Sequence, residues 1–205
     1  FYQYYAAGPL EKVDGVNYPW GWQTQNYDDS AWQSSSAFST GAPFGVVGYG
    51  DALRELIPRS IPLMEHTLQK SGVIRRSSGL VKQPIGFPIS IPANTTCSIL
   101  IDQQSLTSAF PELIVSGGKG GQVKVIYAEA LYEDIKKKGN RDSIQGKSIH
   151  GVYDIFIPDG NKRRLFTSLT YRNFRYVQFD ITTGAEPLTI EKFESWFTAY
   201  PFEKK

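Results

Sequence analysis

Two segments place a charge in step with apolar neighbours. In Val123, Val125, Tyr127 and Glu129 the side chains of an extended strand would share one face, and in Arg175, Val177, Phe179 and Ile181 they would share another. A carboxylate on an apolar face must be paired or become protonated. Arg175 is therefore the expected partner of Glu129, a structural ion pair that sets the register of two strands. The alternative, Glu129 as a general acid, needs a second carboxylate. Glycoside hydrolysis uses two acids roughly 5 to 9.5 Å apart, and no second acid is placed beside Glu129 by the pattern.

The other acids and bases are weaker candidates. Asp28 and Asp29 are adjacent in a turn-like stretch, where an Asx-type cap is favoured over catalysis. His66 and His150 stand apart, with no metal-ligand or triad spacing around them, so neither a metal nor any other cofactor is expected. Gly117-Gly118-Lys119-Gly120-Gly121 lacks the pattern of a phosphate loop and reads as a flexible hairpin connection. Lys136 to Arg141 reads as a solvated basic loop, and Asn94-Thr95-Thr96 as a chance glycosylation sequon. Cys97 shares phase with Ile99 and Ile101 and reads as a packed small hydrophobe. Tyr18, Trp20, Trp22 and Tyr27 cluster in one turn-rich region, where they could stack on sugar faces or pack as a local core.

The elements that must position these residues are strands. With 14% aromatics, nineteen Gly and twelve Pro among 205 residues, composition favours short β elements separated by turns. Phe1 to His66 is aromatic, turn-rich and without clear period, with a short helical reading over Asp51 to Ile57. Leu56 to Leu63 carries two prolines that favour an extended connector, giving a division into 1–66 and 67–205. Beyond it lie seven or more strand-like runs: the alternating Phe87, Ile89, Ile91, then Cys97 to Ile101, Glu112 to Ser116 and Gln122 to Leu131. A second expected hairpin joins Tyr153–Ile157 to Arg164–Thr170, followed by Phe174 to Ile181 and Leu188 to Tyr200. The pattern predicts an all-β, antiparallel sandwich or jelly roll with an irregular N-terminal extension. A short helix over Glu129 to Lys138 and a helical last element around Phe193, Trp196 and Phe197 are the alternatives left open.

A net charge of +2 disfavours a polyanion partner, so no nucleic acid is expected. No apolar run is long enough for a transmembrane helix. A lone cysteine allows no internal disulfide, and the chain opens without a methionine or a signal-peptide pattern, as a fragment or processed product would.

Several motifs resemble the β region of bacterial α-L-rhamnosidases of glycoside hydrolase family 78. Trp22 with Asp28-Asp29-Ser30-Ala31-Trp32 resembles an element of their galactose-binding-like N-terminal domain, and Pro58 to Pro62 the link that follows. Ile101-Asp102-Gln103, Ser116-Gly117-Gly118, Tyr127 to Leu131 and Tyr171 to Tyr176 resemble, in order, the concanavalin-like or jelly-roll domain, and Ala199 to Glu203 its exit. The resemblance implies a partial galactose-binding-like segment over 1–66 and a β-sandwich accessory domain over 67–205. It also implies a parent glycosidase that hydrolyses terminal α-L-rhamnosides with inversion, its acids carried by an (α/α)6 barrel C-terminal on the same polypeptide. On that expectation no catalytic residue lies in this chain, which alone is inactive and buttresses the barrel. The rivals are an autonomous carbohydrate-binding module and a self-sufficient β-sandwich hydrolase. Rhamnose-containing glycans are the expected partners of the parent, with a periplasmic or extracellular location. An apolar surface around Trp196, Phe197, Tyr200 and Phe202 is expected where the barrel would dock, and could support a dimer.

Overall fold

A computed structural model describes residues 8–36, 58–134 and 136–202, with the backbone of 41–43 and 54–56. Among them lie the strands β1 (Lys12–Asp14), β2 (Gly41–Pro43), β3 (Arg54–Leu56), β4 (Thr67–Lys70), β5 (Val73–Ser78) and β6 (Ile89–Ile91). They continue with β7 (Thr96–Gly117), β8 (Gln122–Ala128), β9 (Val152–Ile157), β10 (Arg164–Thr167), β11 (Arg172–Thr182) and β12 (Leu188–Phe197). No helix occurs among the described residues. The protein is all-β, and the last element is a strand. The segment after Glu129 forms no helix, while the helical reading of Asp51 to Ile57 falls partly outside the described residues.

The alternation that predicted strands also sets their faces. Cys97, Ile99 and Ile101 on β7, Val123, Val125 and Tyr127 on β8, and Phe179 and Ile181 on β11 are all buried. The main sheet runs β1-β9-β8-β11-β7-β12-β4, with β5 and β10 added to β7 and β6 to β12. β7 holds it together. Its first half pairs with β5 and β11, and its second half with β10 and β12. Pro111, which has no N–H to give, sits between the last residue that pairs with β11, Ala109, and the first that pairs with β10, Glu112. The missing donor therefore costs no ladder bond on that side.

Ring contacts show that the sheet folds back on itself. Phe156 of β9 stacks on Phe166 of β10 with centroids 5.6 Å apart, and Phe179 of β11 meets Phe193 of β12 edge-on at 5.1 Å. Neither pair belongs to strands that share a ladder. Both must therefore bridge two layers, as in a sandwich. All four rings are almost fully buried, each contributing about 1.5–3 kcal/mol of transfer free energy.

Two expected hairpins are not formed. Gly117 to Gly121 connects β7 to β8, yet β11 lies between those strands. β9 and β10 likewise do not pair, because β9 joins β8 and β1 while β10 joins β7. Turn residues between two strand runs specify a reversal of direction; they do not specify adjacency once a third strand can insert.

The chain separates into two compact units. Met64–Ala199 with the segment ending at Tyr18 forms the first, because β1 pairs in parallel with β9. Pro19–Leu63 with the residues from Tyr200 onward forms the second, which contains the parallel pair β2–β3. There Asp28 accepts the Ser30 N–H at 3.0 Å, the Asx-type turn expected of it.

Candidate functional site

β8 ends at Ala128 and the chain then runs to Val152 without joining a named strand. This loop is anchored by its own small core. Leu131 packs with Leu100 of β7 and Tyr176 of β11, and the partly buried Ile144 and Ile149 complete the cluster. Polar contacts add to it. The buried Lys147 ammonium donates to the carbonyls of Lys138 and Asn140 at 3.0 and 2.5 Å, and Arg76 donates to the Lys147 carbonyl at 2.8 Å. Tyr176 donates its hydroxyl to the Arg141 carbonyl. The loop returns through Gly151, where a Cβ would run into the Tyr127 carbonyl. Only glycine lets the two backbones cross so closely.

Where the loop leaves and re-enters the sheet it forms a pocket of about 320 Å³. Ala128 to Ala130, Tyr132, Lys138 and His150 to Val152 line it on the loop side. Thr170 to Asn173 line it on the β11 side, together with Gly8 and Leu10. At the mouth, the Lys138 ammonium stands 3.7 Å from the Glu129 carboxylate and 5.7 Å from the centre of the Tyr132 ring. Tyr132 also meets His150 edge-on at 5.5 Å, and the His150 Nε2 shares a hydrogen bond of 3.0 Å with the Ser148 hydroxyl. Asn173 turns its Oδ1 to the Ser108 hydroxyl.

Behind this wall lies a buried ion pair. Arg172 donates from Nε and Nη2 to the two oxygens of Asp154 at 2.9 and 2.7 Å, with side chains only 3% and 0% exposed. It also donates to the carbonyl and hydroxyl of Thr170 and lies 3.5 Å from Glu11. Burial, reinforced by the Asp154 charge, raises the Glu11 carboxyl above the usual range, although the Leu169 N–H and Arg172 act against it. Burial lifts the Tyr127 hydroxyl well above its ordinary value, and the neighbouring Asp154 adds to the effect. That hydroxyl is buried beside the Asp154 carboxylate.

The expected pairing of Glu129 with Arg175 is not what the structure holds. Glu129 follows the end of β8, leaves the strand alternation and pairs loosely with Lys138. Arg175 occupies a bulge between Phe174 and Tyr176 and binds Asp102 at 2.9 Å and Asp142 at 2.7 Å. Asp102 also takes Arg75 at 2.8 Å and the Gln104 N–H at 2.8 Å. Burial alone would raise the Asp102 carboxyl, but Arg175, the Gln104 N–H and Arg75 together hold it below its usual range. The pair that sequence reasoning missed, Arg172 with Asp154, carried the same signal: Asp154 is in phase with Phe156, and Arg172 with Phe174.

Tyr18 lies in the first compact unit, and Trp20, Trp22 and Tyr27 in the second. Trp22 is exposed at 44%, while Tyr27 packs against Trp32 with centroids 5.5 Å apart. None of the four lines the pocket. His66 stacks on Trp196 at 4.6 Å in the sheet, and no group of three or more metal-ligating side chains occurs among the described residues.

These features define an all-β sandwich with a pocket whose lining, among the described residues, includes one carboxylate, Glu129. The chain belongs to the family of the bacterial α-L-rhamnosidase concanavalin-like domain, whose model matches residues 95–199. Solved structures with similarity include a family 78 rhamnosidase of Bacillus sp. GL1, at 16% identity over 61% of this chain and 12% of that one, with a TM-score of 0.44. Another is a Klebsiella oxytoca rhamnosidase with rhamnose bound, at 9% identity over 68% of this chain and 30% of that one, also at 0.44. The chain thus spans a minor part of either protein's length. No curated protein matches it.

Proposed function

We propose that this chain is a non-catalytic β-domain of an α-L-rhamnosidase, which buttresses and orients a catalytic (α/α)6 barrel on the same polypeptide. Family membership over 95–199 is the observation that carries this reading. Of the expected 1–66 segment, Pro19–Leu63 serves as the partial galactose-binding-like part and linker, while the segment ending at Tyr18 joins Met64–Ala199 in the accessory sandwich through β1. The parent acts on rhamnose-containing glycans in the periplasm or outside the cell. Aromatic residues left exposed, such as Phe202 at 82%, favour a docking surface that also supports dimerisation; a monomer by light scattering removes the dimer.

The test compares release of nitrophenol from nitrophenyl α-L-rhamnoside by this chain and by the full reading frame that contains it. The full protein should cleave and the chain should not. Comparable rates for the two would overturn the assignment. A candidate sugar contact among the four aromatic residues Tyr18, Trp20, Trp22 and Tyr27 is Trp22, favoured by its exposure. Tryptophan emission that stays constant in millimolar rhamnose rejects that contact.

A further inference from the structure

We propose that the pocket between the Glu129–Gly151 loop and the start of β11 is a binding subsite for a neutral sugar unit. The inference rests on the reading above only for the chemistry of the surrounding glycan; the site itself follows from its walls. Its volume of about 320 Å³ lies at the small end of the roughly 300–1,000 Å³ typical of ligand pockets, room for about one or two sugar rings.

Charge selects a neutral ligand. The one strongly cationic wall residue besides Lys138 is Arg172, and its guanidinium is already taken by Asp154, Glu11 and Thr170. Lys138 itself faces Glu129 at 3.7 Å, so the mouth offers one donor ion and one acceptor ion side by side. An added carboxylate or phosphate would be opposed by Glu129, the carboxylate of the lining. A sugar hydroxyl, which both donates and accepts, can bridge Lys138 and Glu129 without disturbing the balance. The Asn173 amide adds a further polar group on the opposite wall.

Shape and apolar surface agree with this choice. Tyr171 is half exposed and held edge-on by Phe110 at 6.2 Å, which fixes its ring. Tyr132 is oriented from the other wall by His150. Two oriented tyrosines flanking a cluster of polar side chains suit a ligand with C–H faces and hydroxyl edges. The walls are also braced before any ligand arrives, by the Leu131 cluster and Lys147 on one side and the Arg172–Asp154 pair on the other. Little ordering is then required on binding.

The test is a two-dimensional amide NMR titration of the whole chain with L-rhamnose, D-galactose, D-glucuronate and inorganic phosphate in turn. At least one neutral sugar should shift amides of 129–132, 150–152 and 171–173 with millimolar saturation. Lys138→Met and Asn173→Ala should each weaken it about tenfold or more while leaving the amide spectrum away from the pocket unchanged. Shifts confined to other residues, none with either neutral sugar at about 50 mM, or tighter binding of glucuronate or phosphate than of both sugars would overturn the proposal. An empty pocket leaves the family assignment intact, because that rests on 95–199. A full protein that fails to cleave rhamnosides leaves the titration untouched.

Discussion

Replacing Arg172 with methionine tests the account of what holds the β11 wall. Arg172 and Asp154 are 3% and 0% exposed and share two hydrogen bonds of 2.9 and 2.7 Å. Removing one member of such a pair leaves the other as an uncompensated buried charge, at a cost of about 3–5 kcal/mol. In this case Glu11 adds a second negative charge nearby, and Thr170 loses the guanidinium that binds its carbonyl and hydroxyl. For a chain of this size each kcal/mol lowers the midpoint by about 2–4 °C, so Arg172→Met should melt roughly 6–20 °C below the parent. The double variant Arg172→Met with Asp154→Leu removes both charges, and should recover most of the loss. Urea unfolding followed by circular dichroism, with calorimetry alongside, measures both. If the single variant lies within about 1 kcal/mol of the parent, or the double is no better than the single, the pair does not carry the load assigned to it.

Asp159 provides a test against pH. Burial alone would raise its carboxyl, but hydrogen bonds from Arg164 and Asn161 outweigh that and lower it to about 2. The unfolded chain therefore binds the extra proton between pH about 4 and 2, so the stabilisation is present above that window and is lost as pH falls through it. It amounts to about 2 kcal/mol, and Asp159→Asn should flatten the acid limb of the stability profile by that amount; an unchanged limb would remove Asp159 as its source. The Cys97 thiol is buried and pushed up to about 11 by desolvation and the Asp180 charge. Ellman's reagent should label it only after unfolding, and rapid labelling of the native chain would contradict its placement. Lys147→Met removes the ammonium held by the Lys138 and Asn140 carbonyls. Limited proteolysis should then cut within 133–146 several times faster, with little change at β8 or β11; equal cutting rates would show that the apolar cluster alone holds the loop.

Strand positions were legible from the sequence because period-two burial leaves a local trace. Cys97, Ile99 and Ile101 alternate in the chain, and the same residues are buried in the sheet. Pairing was less legible. Nothing local to Gly117–Gly121 records that β11, some fifty residues later, inserts between β7 and β8. The Glu129–Arg175 expectation failed for a related reason: alternation was extended one residue beyond the end of β8 and across the bulge at Arg175, where it no longer assigns faces. The pocket is harder still to see in advance. Its walls come from the chain near residue 8 and from residues around 130, 150 and 171, brought together by a loop whose anchors, Lys147 and Leu131, look unremarkable in sequence.

β7 runs for 22 residues and lends hydrogen bonds to strands in both layers. The domain thus has a spine rather than two detachable leaves. Peeling β12 from one side strips partners from the same ribbon that secures β11 on the other, so half-opened forms gain little entropy for the bonds they forfeit. Such a body should come apart all at once, and until then can pass a force applied at one layer straight to the other.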